Sequence, residues 1–257
     1  MYTYDEIMRQ CEWWIELPKL VRGHRAGLDA FLERHAGADG VVCFIGAGSS
    51  EYVGRAILPY LKKYCPYAVD CCGTTDLVVA PESCVDPDRK TVLVSFARSG
   101  DSPESLGAIK AAQAVSDNIS NVIITCNYDG ALSKYGKGRG DCYVINLPQI
   151  INDSGFAMTN SFTSMYYTAL LCFAGDKTAE CAAAISQCAE HTDRLLRSAV
   201  EMLAQHVCEL EFERIVYLGS EALKGIAQES ALKMLELTRG GVASLYDTPM
   251  GFRHGPK

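Results

Sequence analysis

A doubly wound α/β domain with a parallel sheet and flanking helices is the fold this sequence predicts, on two observations. Short apolar, β-branched runs recur with helical periodicity between them, and the runs open into turns rich in Gly and Ser. In chain order, a helical extension covers 1–35, with helix over roughly 4–34 broken near Pro18 and Gly23. Strands are expected near 41–45, 68–72, 91–96, 121–126 and 142–147, and helices near 51–64 and 104–117. The run at 91–96 is apolar nearly throughout, as a central parallel strand covered on both faces requires.

Residues 157–174 and 177–207 read as two more helices, closing a first domain at 36–207. An apolar strand at 214–218 then opens into Gly219-Ser220 and a helix near 221–238, repeating the β-turn-α opening of 41–64. The remaining stretch, 208–257, is too short for a second doubly wound domain and is expected to be the start of one.

Two strand ends carry hydroxyls. After 91–96 the chain reads Ala97-Arg98-Ser99-Gly100-Asp101-Ser102-Pro103, and Pro103 suits the first turn of a helix. Ser99, Gly100 and Ser102 then lie where the first amides of that helix are unpaired, a place that favours an anion. One such turn is equally an ordinary serine N-cap; a second copy, Gly46-Ala47-Gly48-Ser49-Ser50 after 41–45, shifts the reading toward phosphate. Neither turn is a dinucleotide fingerprint, since Glu51 replaces the third glycine, nor a P-loop, since no Gly-Lys-Ser/Thr follows.

Composition narrows the partners. A chain of 257 residues with 48% hydrophobic residues can bury a sizeable core, and a net charge of −7 argues against nucleic acid. The apolar run at 165–174 is too short to span a bilayer, so no membrane role is expected. Twelve cysteines without a C-x-x-C, behind a start that does not read as a signal peptide, are expected to be reduced thiols in the cytoplasm. His24, His35, His191 and His206 fall on helical segments without metal-ligand spacing and are expected to face solvent. Trp13-Trp14 is expected to pack the helical extension onto the first domain or a subunit partner.

The segments G-A-G-S-S, S-F-A-R-S-G-D-S-P-E-S, V-I-I-T-C-N, G-F-A-M-T-N-S-F-T-S-M, V-Y-L-G-S-E-A-L-K-G-I-A-Q-E-S-A-L-K-M-L-E-L-T and G-F-R-H-G-P-K together resemble the sugar isomerase (SIS) domain family. The likeness is strongest to galactosamine-6-phosphate deaminase/isomerases of the tagatose-6-phosphate ketose/aldose isomerase type. It implies a flavodoxin-like, three-layer first domain and a sugar phosphate held by Ser49, Ser50, Ser99 and Ser102, with Gly48, Gly100, Arg98 and Thr159 as further substrate-binding positions. Ala97 stands where many relatives carry a serine; Arg98 either replaces that contact with a charged one or is a solvated loop arginine.

Moving a carbonyl between C1 and C2 of an open-chain sugar needs a base that takes a proton from one carbon and returns it to the next. Glu229, Lys233 and Glu236 share one helix face, which by itself is a salt-bridged stripe or a catalytic row. The resemblance assigns Glu236 as the base and His254 as the ring-opening group. It also implies conversion of galactosamine 6-phosphate to tagatose 6-phosphate and ammonia, with no metal or cofactor. A homodimer or larger assembly is expected, in which His254 can serve a neighbouring site. The alternatives are a non-catalytic phosphosugar-binding module and a deglycase acting on a phosphorylated fructosamine.

Overall fold

The computed structural model describes residues 2–255. Helices α1 (Tyr2–Trp14) and α2 (Leu17–His35) lead into β1 (Val41–Gly46), α3 (Ser49–Tyr64), β2 (Ala68–Gly73), α4 (Thr74–Val79), β3 (Thr91–Ala97), α5 (Pro103–Val115), β4 (Ile119–Thr125), α6 (Ala131–Gly136) and β5 (Cys142–Asn146). After these come α7 (Asn160–Phe173), α8 (Thr178–Ser198), α9 (Val200–Cys208), β6 (Arg214–Leu218), α10 (Ala222–Leu237), β7 (Ala243–Asp247) and α11 (Pro249–Phe252).

Five parallel strands form one sheet in the order β2-β1-β3-β4-β5, and β6 pairs with β7, also parallel, in a separate two-stranded sheet. Alternation along the strands divides the side chains of the first sheet between two layers. Val42, Phe44, Val92, Val94, Phe96, Val122 and Ile124 join the cluster under α1, α2, α3, α7 and α8. On the opposite face Cys43, Ile45 and Leu93 pack with Leu77 and Ala108, and Ala97 and Ile123 pack with Ile109 and Leu132. The expected three-layer arrangement is therefore present. Strand order reverses between β1 and β3, so their carboxyl ends diverge and open a crevice.

Several expectations need correction. The extension breaks at residues 15–16, not at Pro18 or Gly23: Pro18 occupies the first turn of α2, where its missing N–H is harmless, and Gly23 lies inside that helix beside open space. The helix expected from 157 begins at Asn160, and the one expected over 177–207 divides at Ala199. His24 and His35 are half-buried rather than solvent-facing: His24 Nδ1 is 3.1 Å from Tyr143 Oη and His35 Nδ1 is 2.8 Å from Ser120 Oγ. Burial lowers the pKa of both. The expectation of uniformly reduced cysteines also fails, because the end of β2 and the chain after α4 bring Cys72 and Cys84 into one cluster, where they form a disulfide.

Trp14 fixes the extension as expected, donating from Nε1 to Thr163 Oγ1 at 3.0 Å and meeting Tyr167 edge to face. Among the described residues no helix is long and apolar enough to cross a membrane.

Phe44 is fully buried between Phe96 and Phe173, with ring centroids 6.0 and 5.3 Å away. Phe44→Ala is expected to lower the unfolding free energy by about 3–5 kcal/mol. Urea titration would register this as a lower midpoint at unchanged slope.

Candidate active site

The crevice at the switch between β1 and β3 holds both serine turns. Gly46 lets β1 turn at once into α3: a Cβ there would fall 2.4 Å from the carbonyl carbon of Ser50. Gly48 follows in the left-handed region at φ 54°, which glycine adopts without penalty, and caps α3 without any side-chain bond. Gly100, at φ 69°, makes the matching bend after β3. Ser102 then occupies the N-cap of α5, but its side chain caps nothing. The first amides of two helices accordingly face one crevice without side-chain acceptors.

Ser50, Arg98, Ser99, Gly100 and Ser102 line a cavity of about 140 Å³ together with Ala47, Glu104, Ser105 and Met158. Of the ten residues singled out from sequence, these five are brought together. Ser105 was missed, although it lies one helical turn beyond Ser102 and so on the same face of α5. Ser99 Oγ accepts from the Asp101 amide at 3.3 Å, and the Ser50 hydroxyl lies 4.0 Å from Met158 Sδ. Arg98 is half-buried and only partly committed. Its Nη1 donates to the carbonyls of Gly155 and Phe156 at 3.0 and 3.1 Å, while Nε and Nη2 have no hydrogen-bond partner among the described residues.

Ser49 has a different role from its neighbour. It is buried, and its Oγ accepts from Lys233 Nζ at 2.9 Å. The same ammonium donates to Glu236 Oε2 and lies 3.3 Å from Glu229 Oε1. The row Glu229, Lys233, Glu236 therefore faces inward from α10 onto the start of α3, and the solvent-facing alternative is excluded. Close packing of the two helices permits this: a Cβ at Gly225 would lie 2.5 Å from Ala56 Cα, and Leu232 reaches to within 3.9 Å of where a Cβ at Gly48 would stand. Burial pushes the Glu229 carboxyl up to about 7, while Lys233 and Ser49 pull it down.

Two assigned residues stand apart. Thr159 caps α7, but its hydroxyl donates to Asp153 Oδ1 at 3.2 Å, within a set of bonds by which buried Asp153 also accepts from the amides of Thr159, Asn160 and Ser161. His254 is exposed, its Nε2 accepting from Arg253 at 3.4 Å, and no hydrogen bond or ion pair among the described residues joins it to Glu236 or to either serine turn.

No protein-family model matches the chain. It is 42% identical over 258 residues to a Streptomyces coelicolor protein that carries the name of a D-galactosamine-6-phosphate deaminase, covering 100% of this chain and 66% of that protein. It is 41% identical over 221 residues to a D-galactosamine-6-phosphate deaminase of Shewanella sp. strain ANA-3, covering 84% of this chain and 55% of the relative. Among solved structures, tagatose-6-phosphate ketose/aldose isomerase from Escherichia coli superposes with a TM-score of 0.93 at 35% identity, covering 100% of this chain and 69% of that one. The chain thus spans 66% and 55% of the length of the two deaminase-named relatives.

The Glu229 carboxyl rises from 4.5 to about 7 on folding, so between those values the folded protein keeps a proton that the unfolded chain releases. Stability must fall as pH rises through that window and level off above it. Relative to Glu229→Gln, the wild-type chain is expected to lose about 3 kcal/mol across the interval. Chemical denaturation of both proteins at a series of pH values measures the difference.

Proposed function

The chain belongs to the family of galactosamine-6-phosphate deaminases and tagatose-6-phosphate ketose/aldose isomerases, which carry the SIS fold, and from that premise we propose that it acts on an amino-sugar phosphate, converting galactosamine 6-phosphate to tagatose 6-phosphate and ammonia. The single observation that carries the reading is the join between Lys233 and Ser49, which ties the row Glu229, Lys233, Glu236 to the start of α3, next to Ser50 in the wall of the crevice. In this reading residues 36–207 form a first SIS domain behind the extension 1–35, and 208–257 begin a second.

The phosphate is received at the helix starts after β1 and β3, where amides, the hydroxyls of Ser50, Ser99 and Ser102, and the free guanidinium nitrogens of Arg98 converge. His254 opens the pyranose by exchanging protons between the ring oxygen and O1. Its exposure, with no bond to Glu236 among the described residues, suits a group lent to a neighbouring copy in an oligomer. Glu236 then takes the proton from C2 of the open-chain aldehyde while O1 takes up a proton, giving an enolamine, and returns the first proton to C1 as the amino nitrogen gives one up. The product carries an imine at C2; water adds there and ammonia leaves, so tagatose 6-phosphate forms with atoms and charge balanced. Lys233 lies beside Glu236, where its positive charge favours the negative charge that grows on the substrate during proton removal.

Ammonia release from galactosamine 6-phosphate, compared with glucosamine 6-phosphate, tests the substrate. Glu236→Gln is expected to lower kcat by about 10³-fold while leaving sugar-phosphate affinity within about twofold. Full turnover in that variant would reject Glu236 as the base.

A further inference from the structure

We infer that Glu6, on the N-terminal helix, is a positioning residue that sets Arg98 for phosphate binding through the loop between β5 and α7. This inference rests on the reading of the β1/β3 crevice as the phosphate site.

Three observations carry it. Glu6 is a buried carboxylate, 8% exposed, on a helix whose other buried residues are Cys11 and Trp14. Its Oε1 accepts from the amides of Ser154 at 2.6 Å and Gly155 at 3.1 Å, so the loop is held by its donors from outside the domain. The carbonyls of Gly155 and Phe156 hold Arg98 Nη1 from the other side. One strip of backbone is therefore clamped between a carboxylate of α1 and the guanidinium that borders the cavity. The clamp is tight, because a Cβ at Gly155 would fall 2.8 Å from Glu6 Oε2 and 2.6 Å from Thr3 Oγ1. The same loop carries Met158, which forms part of the cavity wall. Arginine binds phosphate through a planar fork whose direction decides how many bonds it makes, so a small displacement of its anchors is felt as lost affinity.

Glu6 touches no cavity atom and is not a catalytic residue. It differs from Gln10, one helical turn along α1, which docks that helix to α7 by accepting from Thr163 Oγ1 at 3.1 Å and has no hydrogen bond to the loop among the described residues.

The test is calorimetric titration of the full 257-residue chain with galactosamine 6-phosphate and with inorganic phosphate. Glu6→Ala is expected to raise Kd for both about tenfold, with kcat within about twofold. Glu6→Gln, whose amide oxygen still accepts both N–H groups, should restore Kd to within about twofold. Gly155→Ala should reproduce the Glu6→Ala effect with the carboxylate in place, and Gln10→Ala should lower the melting temperature without moving Kd. Combining Glu6→Ala with Arg98→Ala should add little to Arg98→Ala alone, because both act through one guanidinium. If Arg98→Ala weakens binding while Glu6→Ala does not, or the two effects add, the inference is overturned and the site reading stands. If wild-type chain binds neither ligand, both are overturned.

Discussion

The ammonium of Lys233 is the contact on which the candidate site depends. A lysine has three N–H donors, and here its partners are Ser49 on α3 and the carboxylates of Glu229 and Glu236 on its own helix. The Lys233 side chain is 16% exposed and that of Glu229 7%, so neither charge is well solvated. Removing one member of such a set typically costs about 3–5 kcal/mol, since the other charge is left buried alone. The arrangement therefore fixes the register of α10 on α3. Gly225 makes that register possible by letting the backbones meet, and the outcome is that a helix following β6 delivers its carboxylates to the carboxyl end of β1.

The same backbone device appears twice with different chemistry. Gly48 before α3 has φ 54° and ψ −126°, and Glu221 before α10 has φ 51° and ψ −125°. Gly46 and Gly219 are each followed by backbone so close that a Cβ would collide with it. In the second turn, however, Ala222 and Leu223 occupy the places of Ser49 and Ser50, and a glutamate sits where glycine relieves strain. Glu221 pairs across the surface with Lys63 instead of leaving an opening for an anion. The two turns share their geometry but not the paired serines at the helix start, so only the first has the hydroxyls of the proposed phosphate crevice.

How much of this was legible in the sequence follows from how each element is stabilised. The strands of the five-stranded sheet were found to within about two residues because the central strands β1, β3 and β4 are nearly or wholly buried and rich in apolar, β-branched residues, whereas β7 is short and half-exposed, and α4 and α6 are too short to show a helical period. The helix expected from 157 overran its true start because Ala157 and Met158 continue the apolar pattern, while the amides of residues 159–161 are in fact taken by Asp153. Both serine turns were legible, since hydroxyls at strand ends leave a local signature. The bond from Lys233 to Ser49 was not, because its partners are 184 residues apart and meet only once α10 packs. The Cys72–Cys84 link has the same character: neither spacing nor motif marks it.

Ser49 stands at the junction of the two halves of the proposed reaction. Its oxygen accepts from Lys233 and its hydroxyl also lowers the Glu229 pKa, so one side chain ties both groups to the start of α3. A phosphate drawn to the helix starts beside it would fix the turn that carries Ser49, and with it the contact that orients Lys233 and Glu236. Binding energy from the non-reacting end of the sugar can thereby be expressed as placement of the base at the reacting end. The path is short: it needs one hydroxyl, one ammonium and one turn of helix, and no movement of the sheet. An amino sugar without its phosphate would leave the near end of that path empty, and its deficit should fall on turnover as well as on affinity.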